Sequence, residues 1–131
     1  MKQMLALGAL ILLAGCATAP KEDCCMSAPK TVLRHVVLFK FKDGAPADQV
    51  RIIERKFGEL RTKVPNIIGY EWGTDVSPEK LAQGFTHCFV VTFPDAAARD
   101  AYLPHQAHQD FVAILKPHLD KVLVVDYFSK N

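Results

Sequence analysis

The sequence predicts an α+β domain in which four antiparallel strands are backed on one face by helices. Three observations carry this. Segments rich in β-branched and aromatic residues recur four times along the chain. An apolar stripe at helical spacing separates the first from the second, and a helix broken by a proline separates the third from the fourth. The resulting order is β-α-β-β-α-β with a split second helix.

Val32 to Lys42 (VLRHVVLFKFK) reads as the first strand, and Asp43-Gly44 as the turn that ends it. Pro46 suits a first helical position, and Asp48 the positive end of the helix dipole. From there to Lys63, Val50, Ile53, Phe57, Leu60 and Val64 recur at spacings of 3, 4, 3 and 4, which is one face of an amphipathic helix. Pro65-Asn66 stops it. Ile67 to Val76 reads as the second strand, and Ser77 to Gly84 as a polar connection with room for one helical turn. Phe85 to Phe93 (FTHCFVVTF) is the third strand. Pro94-Asp95 caps a helix over Ala96 to Leu103, and Pro104 breaks it. A second helical segment runs from His105 or Gln106 to Lys116, and Lys121 to Phe128 (KVLVVDYF) is the last strand.

This order is that of the ferredoxin-like protomer. Strand parity then places His35, Val37, Phe39 and Phe41 on one face and Val36 and Leu38 on the other. In the last strand Val122 and Val124 oppose Leu123, Val125 and Tyr127. Both faces are apolar, but the helices cover only one. A bare apolar sheet is unusual on a monomer, so the sequence predicts a homodimer, sheet against sheet, forming a dimeric α/β barrel.

The N-terminus carries an address. Eleven of the first 15 residues are hydrophobic, and Lys2 supplies a positive start. The apolar run Met4 to Ala14, at about 1.5 Å per residue, is roughly half a bilayer core, a signal-peptide length rather than a spanning one. Leu13-Ala14-Gly15-Cys16 resembles the bacterial lipobox, in which the Cys thiol is acylated and becomes the new N-terminus; an ordinary secretory signal is the alternative. The expected division is a signal peptide over 1–15, an acylated Cys16 and flexible tether over 16–31, and a folded domain over 32–131. Ala17 stands where an Asp would favour inner-membrane retention, so the expected location is the outer membrane, facing the periplasm. Tether residues Cys24 and Cys25 read as linker, an intermolecular disulfide or a metal-capturing pair. Cys88, within a strand, reads as a small buried hydrophobe.

Composition excludes several classes. The 131 residues hold 16 Lys+Arg against 14 Asp+Glu, a net charge of +2, which excludes a polybasic nucleic-acid binder. Four Cys without repeated spacing exclude a disulfide scaffold or zinc ribbon. No Gly-rich phosphate loop, nucleophile elbow or CxxC motif is present, and neither a cofactor nor a metal is expected. The candidate chemistry is carried by His35, His87 and the run Tyr102, His105, His108 (Y-L-P-H-Q-A-H). Between sheet and helices, His35 and His87 would line an apolar pocket with Phe57 and Val91. Each has a structural alternative: a hydrogen-bonded core histidine, an anchoring tyrosine, or, for His105 and His108, a helix cap or a solvent-facing ring; His118, beside Pro117, reads as a surface residue.

H-V-V-L-F-K-F-K-D, W-G-T-D-V, G-F-T-H-x-F-V-V-T-F, A-Y-L-x-H-x-A-H and V-x-D-Y resemble the stress-responsive dimeric α/β-barrel (Dabb) family over Leu33 to Ser129. The resemblance implies a barrel of two ferredoxin-like protomers. A plant member of the family is a cyclase that folds a linear poly-β-ketone by an aldol step. Its general-base histidine falls on His108, its assisting tyrosine on Tyr102, and its pocket histidines on His35 and His87. A pocket tyrosine of that enzyme is replaced here by Phe57, which removes one hydroxyl. The functions implied are binding of a small apolar ligand, with a stress role; acid–base chemistry by His108 and Tyr102 on a carbonyl compound, cyclase-like or monooxygenase-like; or a purely structural dimer.

Overall fold

The computed structural model describes residues 31–130. The leader, Cys16 and the Cys24–Cys25 pair lie outside the described residues.

The order is β1 (Leu33–Phe41), α1 (Ala47–Lys63), β2 (Gly69–Thr74), β3 (His87–Phe93), α2 (Ala96–Tyr102), α3 (Gln106–Leu115), a 3₁₀ turn (Lys116–His118) and β4 (Leu119–Phe128). The strands form one antiparallel sheet ordered β2-β3-β1-β4, the ferredoxin-like arrangement. Several expectations shift: β2 spans Gly69–Thr74 rather than Ile67 to Val76, and β3 begins at His87 rather than Phe85. Ser77 to Gly84 forms turns and no helix, and β4 starts two residues before Lys121. The sharp turn into α1 uses Gly44 at φ 79°, a left-handed conformation that glycine adopts without steric cost.

The parity argument holds in β1, whose residues alternate between buried and half-buried from Leu33 onwards. Leu33, His35, Val37 and Phe39 face the helices, as do His87, Phe89, Val91 and Phe93 of β3. The α1 stripe closes over them through Ile53, Phe57, Leu60 and Val64. At the centre Phe57 stacks between Phe89 and Phe111, with ring centroids 4.5 and 4.7 Å away, and Phe39 lies 5.0 Å from Phe89. Such pairs contribute about 0.5–1.5 kcal/mol each beyond simple burial.

β4 is different. It is an edge strand whose residues are about half exposed on both faces, including Val122, Leu123, Val124, Val125 and Tyr127. Its outer residues Leu123 and Val125 pair with Leu38 and Val36 to form an apolar outer surface. Its inner residues Val122 and Val124 are not covered by the helix layer, because α2 packs on β1 and β3. That offset leaves a space between the α2–α3 segment and β4.

Candidate functional site

The space is a cavity of about 370 Å³ bounded by β1, β4, α2 and α3. Its wall is graded by the register of two strands. His35 pairs with Asp126, Val37 with Val124, and Phe39 with Val122. Polar groups therefore gather on one rung, and the wall turns apolar over the next four residues, roughly 13 Å at strand rise. Phe57, Phe111 and Leu115 line it from the helices.

At the polar end stand His35, Tyr102, His108 and Asp126. Tyr102, in the last turn of α2, is buried against Phe93 at 5.2 Å and lies close to both imidazoles. Its ring centroid is 5.8 Å from His35 and 4.3 Å from His108. Tyr102 lines the cavity, and its hydroxyl makes no hydrogen bond among the described residues. Burial, and to a lesser degree nearby Tyr70, push its pKa upwards, so it stays a proton donor at neutral pH.

The break between α2 and α3 aims His108. Leu103 and Pro104 leave the helix, and the His105 side chain caps α3 by accepting from the Ala107 amide. The freed Leu103 carbonyl accepts from His108 Nδ1 at 2.9 Å and from Gln109 Nε2 at 2.7 Å. A carbonyl only accepts, so the His108 proton sits on Nδ1 and Nε2 keeps its lone pair. Burial lowers the His108 pKa, the Leu103 bond opposes this, and the neighbouring His35 and His105 rings lower it further. A neutral imidazole with a free lone pair beside a buried phenol places a proton acceptor next to a proton donor.

His35 is held by its cross-strand partner: Nδ1 donates to Asp126 Oδ1 at 2.6 Å. The other carboxylate oxygen accepts from Arg99 of α2. Sequence reasoning missed Asp126, Arg99 and the Leu103 carbonyl. The signal for Asp126 was present, a carboxylate at an inward-facing position of an apolar strand.

Two expected pocket residues are elsewhere. His87 is buried under α1, with Nε2 3.0 Å from Glu54 Oε1 and Nδ1 2.8 Å from Thr86 Oγ1. Trp72 lies parallel to its ring. Both nitrogens are occupied, so this is a hydrogen-bonded core histidine. Val91 is buried opposite His35 and Tyr70 and does not reach the cavity wall. Both residues share the inner face with His35, but β3 lies on the far side of β1 from the opening beside β4. Phe57 lines the cavity as expected. His118 is half-buried rather than at the surface. Among the described residues no three His, Cys, Asp or Glu side chains converge in a metal-ligating cluster.

A ferredoxin-like protomer with His35, Tyr102 and His108 at one end of a largely apolar cavity is the frame of an α/β-barrel protein. Residues 33–129 match the family described as Stress responsive A/B Barrel Domain (Dabb), and the chain belongs to that family. It is 38% identical over 102 residues to the stress-response A/B barrel domain-containing protein HS1 of Arabidopsis thaliana, covering 78% of this chain and 94% of that one. It is 28% identical over 99 residues to olivetolic acid cyclase of Cannabis sativa, covering 76% and 98%. The structure is similar to that of the hydroxynitrile lyase from Passiflora edulis, at 28% identity, TM-score 0.72 and coverage of 78% and 96%. Solved neighbours are described as dimeric, among them a ferredoxin-like protein from Jannaschia sp. at 26% identity and TM-score 0.65, covering 73% and 97%.

Proposed function

We propose that this chain binds a small, mostly apolar carbonyl compound in its cavity and carries out proton transfer on it, with His108 as base and Tyr102 as acid. The observation that carries this reading is the convergence of the Tyr102 hydroxyl and the neutral His108 ring on one end of an otherwise apolar cavity. The carbonyl oxygen would accept from Tyr102 while His108 Nε2 takes the proton from the adjacent carbon. The negative charge formed on oxygen is stabilised by the phenol, and His108 returns its proton to carbon or oxygen later in the cycle. The apolar part of the substrate would run along Val124 and Val122 towards Leu115. A relative named as a cyclase and a structural neighbour named as a hydroxynitrile lyase support an enzymatic reading.

The direct test is hydrogen exchange. The full chain is incubated with a medium-chain 1,3-diketone in D₂O, and loss of the proton between the carbonyls is followed by NMR. Exchange above the buffer rate, abolished in His108→Ala, supports the reading. A ligand that co-purifies in native mass spectrometry, with no exchange, favours capture without turnover. The largely apolar wall supports that second reading.

We further propose that the protein acts as a homodimer joined through the outer sheet face, and that Cys16 is acylated and anchors it in the cell envelope, at the outer membrane facing the periplasm. The exposed outer residues of β4 and the dimeric neighbours support the first part. The apolar leader and Leu13-Ala14-Gly15-Cys16 support the second. Cys16→Ser would move the protein from the membrane to the soluble fraction. An unchanged distribution removes the anchor.

A further inference from the structure

Asp126 sits between an imidazole and a guanidinium that come from different elements. Oδ1 faces His35 Nδ1 from the neighbouring strand, and Oδ2 accepts from Arg99 Nη1, reached from the second turn of α2. The Arg99 fork is filled on its other side, where Nε donates to Asp100 Oδ1 at 2.7 Å. The exposure along this line is uneven. The His35 side chain is 6% exposed, whereas those of Asp126 and Arg99 are 26% and 21% exposed. His35 has no freedom to follow its partner, but a carboxylate a quarter open to water can turn.

We infer that Arg99 is a positioning residue that acts through Asp126 to fix which nitrogen His35 presents to the cavity. This rests on the acid–base reading of the site. A carboxylate accepts and does not donate, so a neutral His35 bonded to it carries its proton on Nδ1 and presents an Nε2 lone pair. Clamping Oδ2 from α2 leaves Oδ1 facing the ring, and a guanidinium does this with a rigid, directional donor. Without the clamp, Asp126 turns to solvent and the bond to Nδ1 is lost. The His35 ring, held in place by its neighbours, can then take the other tautomer, with its proton on Nε2. With the clamp, two histidines near Tyr102 present fixed lone pairs. His108 is fixed by a backbone carbonyl, and His35 by a carboxylate that is itself held.

The test needs no substrate. The full chain, labelled with ¹⁵N-histidine and held in detergent micelles, is studied by long-range proton–nitrogen correlation spectra, which distinguish rings protonated on Nδ1 from those protonated on Nε2. His35→Gln assigns the signals. In the wild type His35 shows the Nδ1–H pattern with a low-field, exchange-protected proton. Arg99→Ala and Arg99→Gln lose that proton and give a tautomer mixture, while Arg99→Lys retains most of the wild-type pattern. The His108 signals, set by the Leu103 carbonyl, stay unchanged and report that the fold is intact. Should Arg99→Ala disturb them, Arg99→Gln, which keeps the apolar stem, supplies the answer. A wild-type His35 spectrum in a folded Arg99→Gln protein overturns the inference, even where the wild type exchanges diketone protons. An Arg99-dependent spectrum without diketone exchange removes the acid–base reading and leaves the positioning role standing.

Discussion

Tyr102 and His108 lie with ring centroids 4.3 Å apart at an angle of 43°, joined by no hydrogen bond to each other. The His108 Nδ1 proton points to Leu103, so the phenol and the bare Nε2 are both left to a third molecule. This relationship separates catalytic effects from structural ones. The Tyr102 hydroxyl bonds nothing among the described residues, so Tyr102→Phe should leave the thermal midpoint within a few degrees of the wild type. Diketone exchange should fall in that variant, and His108→Ala should lower it by roughly 10²- to 10⁴-fold. Parallel melting curves and NMR exchange rates check both. A Tyr102→Phe protein with full activity would remove the proposed acid.

The pH dependence follows from the lowered His108 pKa. Its ordinary value is 6.5, and burial places the folded value below that. The base should therefore remain unprotonated on the acid side of 6.5, and the exchange rate should fall only at lower pH. For stability, the unfolded ring binds its proton more readily than the folded one. His108 therefore costs stability as pH falls through 6.5 towards the folded pKa. Denaturant melts of the wild type and His108→Gln between pH 7.5 and pH 5 should show a steeper acid loss in the wild type. An acid limb of the rate profile at or above 6.5 would show that another group is the base.

Two valines distinguish cavity from core. Val124 lines the cavity and is half exposed, so Val124→Phe should block ligand capture at little cost to stability. Val91 is 1% exposed in the close-packed centre, so Val91→Phe should overpack it and destabilise by about 1–3 kcal/mol. Native mass spectrometry and urea titration give the two readouts. Undiminished ligand in Val124→Phe would place the binding site elsewhere.

The outer face predicts assembly. Val125 pairs with Val36 across β1 and β4 and is 47% exposed in the single chain. Placing a charge there with Val125→Asp should dissociate the dimer in sedimentation of a Cys16→Ser background, with the cavity intact. A wild-type protein that sediments as a monomer at micromolar concentration would refute the dimer directly.

The elements and the two faces of the sheet were legible because both depend on local periodicity. Ile53, Phe57, Leu60 and Val64 declare the buried face of α1, and His35, Val37 and Phe39 that of β1, at fixed spacings set by helix and strand geometry. Lateral position was not legible. His35 and His87 have the same parity, but one lies beside the opening at β4 and the other under α1, a difference set by strand order. Asp126 was hidden for a related reason, since it meets His35 across 91 residues of chain. The tie that orients His108 runs to a backbone carbonyl, which every residue possesses and no side-chain motif announces.

That carbonyl is available only because the helical path is interrupted between Tyr102 and Gln106. In an uninterrupted helix the oxygen of Leu103 would serve the amide four residues on, and the imidazole would lose its rein. Under the proposed chemistry, descendants of this gene could therefore keep every letter of the Tyr-His-His signature and still fall silent, through a change that merely straightened Leu103-Pro104. Surveys that score chemistry by side chains alone would count such proteins as competent.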